Sequence, residues 1–337
     1  MNISVVIPTC DRKLNLLALL KNLNDSTFPL HEVIIVDSGE EKLSAQEYSV
    51  FKKLQIQYLC SEKSVCIQRN IGINKASAEW IFICDDDIEV PADYLQKLTA
   101  HISNVPASGA VSGLVLQKEK GEWTSQYAER SAKTLLWKYF FQLGIWGKIE
   151  CSANNFLIKR IKEYYRGKGN HLSKAGWPVL TDFSGNYFTT PVYGLGASLI
   201  KKQWLLNSPY DEVLDKHGIG DHYGVTAGFP EPGIHVVTEA FVYHHQETKN
   251  RLQNSLSYYR RVLALDYFIK QPGKKLHIIK KRWLTWSLFG NLIYAIFSIN
   301  TVMIKAAFKS LIVVSIGKNP YHEAAKTNQK VIEPAFY

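Results

Sequence analysis

Three aspartates in a row, Asp85-Asp86-Asp87, follow directly on the apolar run Trp80–Cys84. Carboxylates this close repel one another unless a positive charge sits among them. A divalent cation with oxygen ligands supplies that charge and keeps open positions for phosphate. Two other apolar runs also end in polar residues. One reaches Thr9-Cys10-Asp11-Arg12, and the other reaches Asp37-Ser38-Gly39.

The elements that must carry these residues alternate in type. Residues 2–8, 32–37, 56–59 and 80–84 read as short buried strands. Residues 13–23, 45–54 and 64–75 read as helices, the second weaker than the others. Strands apolar on both faces and separated by helices make a parallel sheet covered on both sides. Such a sheet binds ligands outside the carboxyl ends of its strands, where all three polar clusters fall. Residues 121–190 are less regular and read as a flexible, partly helical region over the site. A glycine-rich stretch at 218–228 and a strand at 235–243 ending in His244-His245 follow.

Composition narrows the classes. The chain has 337 residues, 46% hydrophobic, with 8 Trp, 18 Tyr and 15 Phe, which excludes a disordered chain. Five cysteines without metal-type spacing exclude a disulfide scaffold and suit a reducing cytoplasm. No basic region precedes the first apolar run, so the start reads as a strand rather than a secretory signal. The net charge of +10 favours a phosphate-rich or anionic-lipid partner, and the absence of an RNA-binding motif argues against nucleic acid.

A series of motifs in order carries a resemblance. Val5-Val6-Ile7-Pro8-Thr9, then Val33-Ile34-Ile35-Val36-Asp37-Ser38, Arg69-Asn70-Ile71-Gly72 and Asp85-Asp86-Asp87 resemble the nucleotide-sugar half of the GT-A glycosyltransferases of family 2. Downstream, the segment 194–197, Tyr210-Asp211-Glu212, Gly220-Asp221 and Val242-Tyr243-His244 resemble its acceptor half. The resemblance implies an α/β GT-A fold: a Rossmann-like, mostly parallel sheet with helices on both faces. It places a catalytic domain at 1–265, divided into a nucleotide-sugar half at 1–115 and an acceptor half at 116–265. A C-terminal helical region at 266–337 follows.

It also implies the chemistry. The enzyme would be an inverting hexosyltransferase using a nucleotide diphosphate sugar, with uridine diphosphate as the first expectation, and Mg2+ or Mn2+. Asp85, Asp87 and His244 would hold the metal, with His245 as the neighbouring alternative. Pro8, Thr9, Asp11, Arg12, Asp37, Arg69 and Asp86 would line the nucleotide pocket. Asp221 would be the base that takes the acceptor hydroxyl's proton, with Asp211, Glu212 and Asp215 as fallbacks. Here the sequence departs from the family: Gly220 replaces the usual Glu, and Tyr223 and Gly224 replace the usual Asp and Leu. Arg260-Arg261 suits a pyrophosphate. Ile279 stands where processive synthases carry the Gln before Arg282-Trp283, which favours single addition.

The C-terminal region changes character. Residues 270–282 carry six Lys and Arg and no acid, and 283–304 carry no charge. A basic cluster against an aromatic, apolar helix suits a helix lying on an anionic membrane. The whole reading is a peripheral enzyme at the inner face of the cell membrane. It would add a sugar to a glycan or polyprenyl-diphosphate-linked acceptor during cell-surface polysaccharide assembly. The alternative is a sugar nucleotidyltransferase, disfavoured because residues 7–13 lack the glycine-rich phosphate loop.

Overall fold

A computed structural model describes residues 1–119, 121–125, 127–246, 252–271 and 275–327. The first half runs β1 (Ile3–Thr9), α1 (Lys13–Asn24), β2 (Glu32–Asp37), α2 (Ala45–Tyr48), β3 (Ile56–Cys60), α3 (Val65–Lys75), β4 (Trp80–Cys84), β5 (Ile88–Glu89), α4 (Tyr94–Asn104) and β6 (Ala110–Glu119). Next come β7 (Glu122–Thr124), α5 (Ala132–Phe140), β8 (Ile145–Trp146), α6 (Phe156–Lys168), β9 (His171–Leu172), β10 (Pro178–Leu180), β11 (Tyr187–Thr190), β12 (Ala197–Lys201), α7 (Lys202–Asn207), α8 (Asp221–Thr226), β13 (Ile234–His244) and α9 (Asn254–Phe268). A 3-10 turn at Lys275–Ile278 leads to α10 (Lys281–Phe297), α11 (Thr301–Ile316) and α12 (Pro320–Thr327).

The main sheet has the order β3-β2-β1-β4-β12-β6-β13-β11. The first four strands are parallel, as the doubly apolar pattern requires. Within β1, Ile3, Val5 and Ile7 pack into the core on one face while Val6 packs into the core on the other. β4 alternates in the same way, with Trp80, Phe82 and Cys84 opposite Ile81 and Ile83. β12 then enters antiparallel between β4 and β6, so chain from the acceptor half sits at the centre of the sheet.

Two expectations change. The helix expected over 45–54 is a single turn at Ala45–Tyr48, held by a reciprocal cap between Ser44 and Glu47. The region at 121–190 contains a second sheet, β8-β10-β9, that its short runs did not reveal. Leu135, Ile145, Ile158, Ile161, Tyr165 and Val179 give that sheet, α5 and α6 a small core of their own.

The uncharged run at 283–304 is not one helix. It breaks at Ser298, and α10 and α11 form a hairpin packed on α9. None of the described helices is long and apolar enough to cross a membrane. Lys274 of the basic run and residues 328–337 lie outside the described residues.

Candidate active site

The ends of β1 and β4 and the loops before α3 and α8 enclose a cavity of about 350 Å³. Pro8, Thr9, Arg12, Arg69, Asp85, Asp86, Asp87 and His244 all line it. Asp86 is buried, accepting hydrogen bonds from Thr9 Oγ1 at 2.7 Å and Arg12 Nη1 at 2.9 Å. Burial pushes its carboxyl up to about 6, although Arg12 and Thr9 pull the other way. Arg12 reaches Asp87 Oδ2 as well, at 3.5 Å.

β5 explains how a histidine 157 positions from Asp87 meets it. This two-residue strand follows the aspartates directly and pairs antiparallel with the end of β13, setting Ile88 opposite His244. His244 Nε2 thereby lies 3.3 Å from Asp87 Oδ1. Strand alternation turns His245 the other way, onto the exposed Glu89 at 2.8 Å. Of the two histidines, only His244 faces the cavity.

Asp85 is aimed elsewhere. Its Oδ1 accepts from Arg69 Nη2 at 2.6 Å, and Arg69 Nη1 donates to Asp221 Oδ2. The guanidinium also lies over the Tyr210 ring, 5.0 Å from its centroid. Burial raises the Asp221 carboxyl, but Arg69 and the hydrogen bonds from His222 outweigh it and leave Asp221 below the ordinary carboxylate value. Asp221 itself does not line the cavity; it adjoins the wall through Arg69. The chain at Gly220, which caps α8 with φ +91°, needs a residue without a side chain: a Cβ there would lie 2.7 Å from Ala264. That accounts for the missing Glu.

The fallback carboxylates are engaged in holding the wall. Asp211 accepts from Tyr267 Oη at 2.9 Å, and Glu212 accepts from Asn70 at 3.0 Å. Asp215 is fully buried between Arg260 Nη1 at 2.9 Å and Tyr321 Oη at 2.7 Å. The tandem arginines therefore divide: Arg260 is buried with Asp215, while Arg261 lines the cavity.

Two expected pocket residues act on its frame. Asp37 is buried, accepting from Gly39 N at 2.7 Å and from Tyr58 Oη, and Ser38 is the residue of that strand end in the cavity wall. Asp11, at φ +55°, accepts from Glu40 N at 2.6 Å and so ties the β1 and β2 ends together. Sequence reasoning missed Lys63, Gln68 and Lys216 in the wall. Gln68 bridges the Thr9 and Val36 carbonyls, 2.7 Å from each. One turn of helix separates it from Gly72, a spacing that could have suggested an inward-facing polar residue.

A second cavity of about 290 Å³ opens on the other side of Asp85 and His244, the two residues it shares with the first. Its walls are apolar and aromatic, with Tyr127, Trp146 and Tyr193 among them. Trp146 stacks on Tyr193 with centroids 5.4 Å apart and donates its indole N–H to Ser125 O. Gly196 lines the second cavity against the Asp85 side chain. A Cβ there would lie 2.1 Å from Asp85 Oδ2. Trp146 stands alone between irregular segments, and nothing in its neighbourhood signals a site.

The glycosyl transferase family 2 model matches residues 4–162, which include β1 to β6 and the aspartates. That stretch of the chain is similar to the family. An uncharacterized glycosyltransferase, YwdF, of Bacillus subtilis is 30% identical over 123 residues, 36% of this chain and 45% of that protein. An uncharacterized glycosyltransferase of Haemophilus influenzae is 28% identical over 25% of the chain and 29% of its own length. The matched stretch thus spans less than half of either relative.

Solved structures extend the likeness in fold beyond the family segment. Residues 1–349 of S. aureus TarS superpose with a TM-score of 0.54 at 14% identity, covering 98% of this chain and 92% of that one. The mannosyltransferase PcManGT of Pyrobaculum calidifontis, in complex with GDP-Man and Mn2+, gives 0.50 at 14% identity over 96% of this chain and 83% of its own. The fold is GT-A, with the family segment leading into antiparallel strands and C-terminal helices.

Proposed function

We propose that this chain is a single-addition, inverting glycosyltransferase that moves a sugar from a nucleoside diphosphate sugar to a carbohydrate acceptor. The observation that carries this reading is the meeting of two unlike cavities at Asp85 and His244. The first, with Arg12, Lys63, Lys216 and Arg261 in its wall, has the charge for a diphosphate. The second, with Trp146 and Tyr193, has the apolar ring faces on which a sugar packs. A bond broken where they meet would leave the diphosphate on one side and the new glycoside on the other.

Asp87 and His244 face each other across 3.3 Å beside open volume, a set of oxygen and nitrogen donors that suits Mg2+ or Mn2+. Among the described residues no three His, Cys, Asp or Glu converge as a closed ligand set. Phosphate and water would complete the shell, as is usual for Mg2+. Such an ion, when bound, neutralises charge growing on the leaving diphosphate. Asp85, committed to Arg69, would be an adjacent carboxylate of the same site.

The chain's own residues do the rest. Arg12 and Thr9 orient Asp86 toward the nucleotide. Asp221, kept ionised by Arg69, takes the proton of the acceptor hydroxyl as that oxygen attacks the anomeric carbon from the side opposite the diphosphate. In this role Asp221 must exchange its contact with Arg69 for the hydroxyl. The acceptor would be a glycan or a polyprenyl-diphosphate-linked sugar.

Thermal shift of the full chain with UDP, GDP, TDP and CDP tests the reading, each with Mn2+ and with a chelator. One nucleotide at about 100 times its dissociation constant should stabilise the chain by about 2.7 kcal/mol. Asp87→Asn should lose the metal-dependent part. No shift with any nucleoside diphosphate, or release of pyrophosphate from a triphosphate and a sugar phosphate, would defeat the proposal in favour of nucleotidyl transfer or an unrelated ligand.

A further inference from the structure

We infer that the α10–α11 hairpin and its neighbours dock the chain on the surface of an anionic lipid bilayer. The observations are the shape, chemistry and charge of one continuous surface. Residues 296–302, at the tip of the hairpin, are all exposed. They include Phe297 at 76% and Ile299 at 83% exposure. Ile299 has φ +51°, a conformation that β-branched residues avoid. An apolar side chain is thus presented outward at a backbone cost, where a polar residue or glycine would serve a plain turn better.

The tip continues along the side of α10. Arg282, Trp286, Phe289 and Phe297 recur at helical spacing on one face. α5 extends this face: the Phe140 ring packs edge-on to Trp286 at 5.3 Å, and Trp137 packs against Phe297 at 6.4 Å. Phe140 and Phe289 remain exposed after this packing. At the other end of α10 the surface turns cationic. A cavity of about 290 Å³ is lined by Lys168, Lys174, Lys275, Lys280, Arg282 and Trp283, with no acidic residue. Lys275 is paired with Glu231, and Lys174 lies over the Trp283 ring at 4.8 Å.

Charge decides the occupant. No Asp or Glu occurs between Asp266 and Glu323, a stretch holding nine Lys and Arg. An apolar tip flanked by cations in an acid-free stretch of chain complements a bilayer interface bearing anionic headgroups. None of the described helices is long and apolar enough to cross a bilayer. α10 has 17 residues, about 26 Å of helix against a hydrocarbon core of about 30 Å. The hairpin also bears on the site. α10 and α11 pack behind α9, with Asn291 donating to Tyr258 Oη at 3.1 Å and Lys309 over the Tyr259 ring. The front of α9 supplies Asn254, Ser257 and Arg261 to the first cavity. Docking would hold that cavity close to the lipid surface.

Flotation of the full chain with lipid vesicles tests this. The vesicles are phosphatidylcholine alone or with phosphatidylglycerol, at about 0.1 M and about 1 M salt, where the screening length falls from about 10 Å to about 3 Å. The wild type should float with the anionic vesicles and lose most of that binding at high salt. Phe297→Ser with Ile299→Ser should reduce flotation at least about tenfold. Lys280→Glu with Arg282→Glu should abolish the preference for anionic lipid. None of these four residues lines either active-site cavity, so an unchanged melting temperature and nucleotide shift would establish that the variants fold. Wild-type chain left at the bottom of the gradient, or variants floating as well as wild type, would overturn the inference. So would binding to soluble polyphosphate as strong as binding to vesicles and indifferent to Phe297→Ser. A stable dimer dissolved by the same substitution would assign the surface to a second copy. These outcomes do not depend on whether the chain transfers sugar.

Discussion

The two cavities beside Asp85 and His244 are built in different ways. The first takes its carboxylates and hydroxyls from the ends of apolar strands: Thr9 at the end of β1, Ser38 just after β2 and the aspartates just after β4. Each strand is anchored in the core on both faces, so its end is a stiff platform. The second is assembled from β6, β7, β8 and the loop before β12, segments far apart in the chain. The charged cavity follows from strand ends in register, whereas the aromatic one depends on how a small side sheet leans on the main sheet. Under the proposed function, acceptor specificity would change through the second without disturbing the first.

Five substitutions would break or sharpen this contrast. Asp221→Asn should lower kcat by about 10²–10⁴-fold while leaving the nucleotide shift intact. A variant that loses the shift as well would make the Arg69–Asp221 pair structural and merge the two sites into one framework. Arg260→Ala and Arg261→Ala separate neighbours. The first strips a buried partner from Asp215 and should cost about 3–5 kcal/mol in denaturant unfolding. The second should weaken nucleotide binding and barely move stability.

Asp86→Asn tests the electrostatics of the first cavity. With the carboxyl pushed up to about 6, the folded chain takes up this proton before the unfolded chain does as pH falls. The group therefore favours the folded state most at the acid end, and its contribution declines as pH rises from about 4 to about 6. Asn should flatten that part of the pH–stability profile, by no more than about 3 kcal/mol. The smallest effect is expected in the second cavity. Trp146→Ala should raise the acceptor KM about tenfold, near 1.4 kcal/mol, with the donor shift unchanged. A weakened donor shift would mean that the aromatic wall serves the donor sugar instead.

Much of the first cavity was legible in the chain. Runs such as VVIPT and WIFICDDD announce a buried strand and its polar end at once, because period and punctuation are local properties. Thr9, Arg12 and Asp86 were singled out for that reason, and all three line the cavity. Where structure and expectation differ in detail, local contacts are the reason. Asp11 and Asp37 lie at the correct strand ends, but short backbone contacts across those ends occupy their carboxylates. The helix expected at 45–54 lacks a buried face, and after one capped turn nothing holds it. Trp146 went unnoticed because its two-residue strand has no period to read.

What the sequence determined by itself is the alternation of buried strands and helices, the family motifs on the strand ends, and an acid-free, aromatic C-terminal stretch. These are written in residue type and spacing over a few turns of chain. Tertiary structure decided which of two histidines meets Asp87, which of two arginines enters the cavity, and that one uncharged run folds into two helices. Each was a choice between neighbours in sequence. The pairing of β5 with β13, the burial of Asp215 and the break at Ser298 settled them, through contacts that neither neighbour's identity encodes.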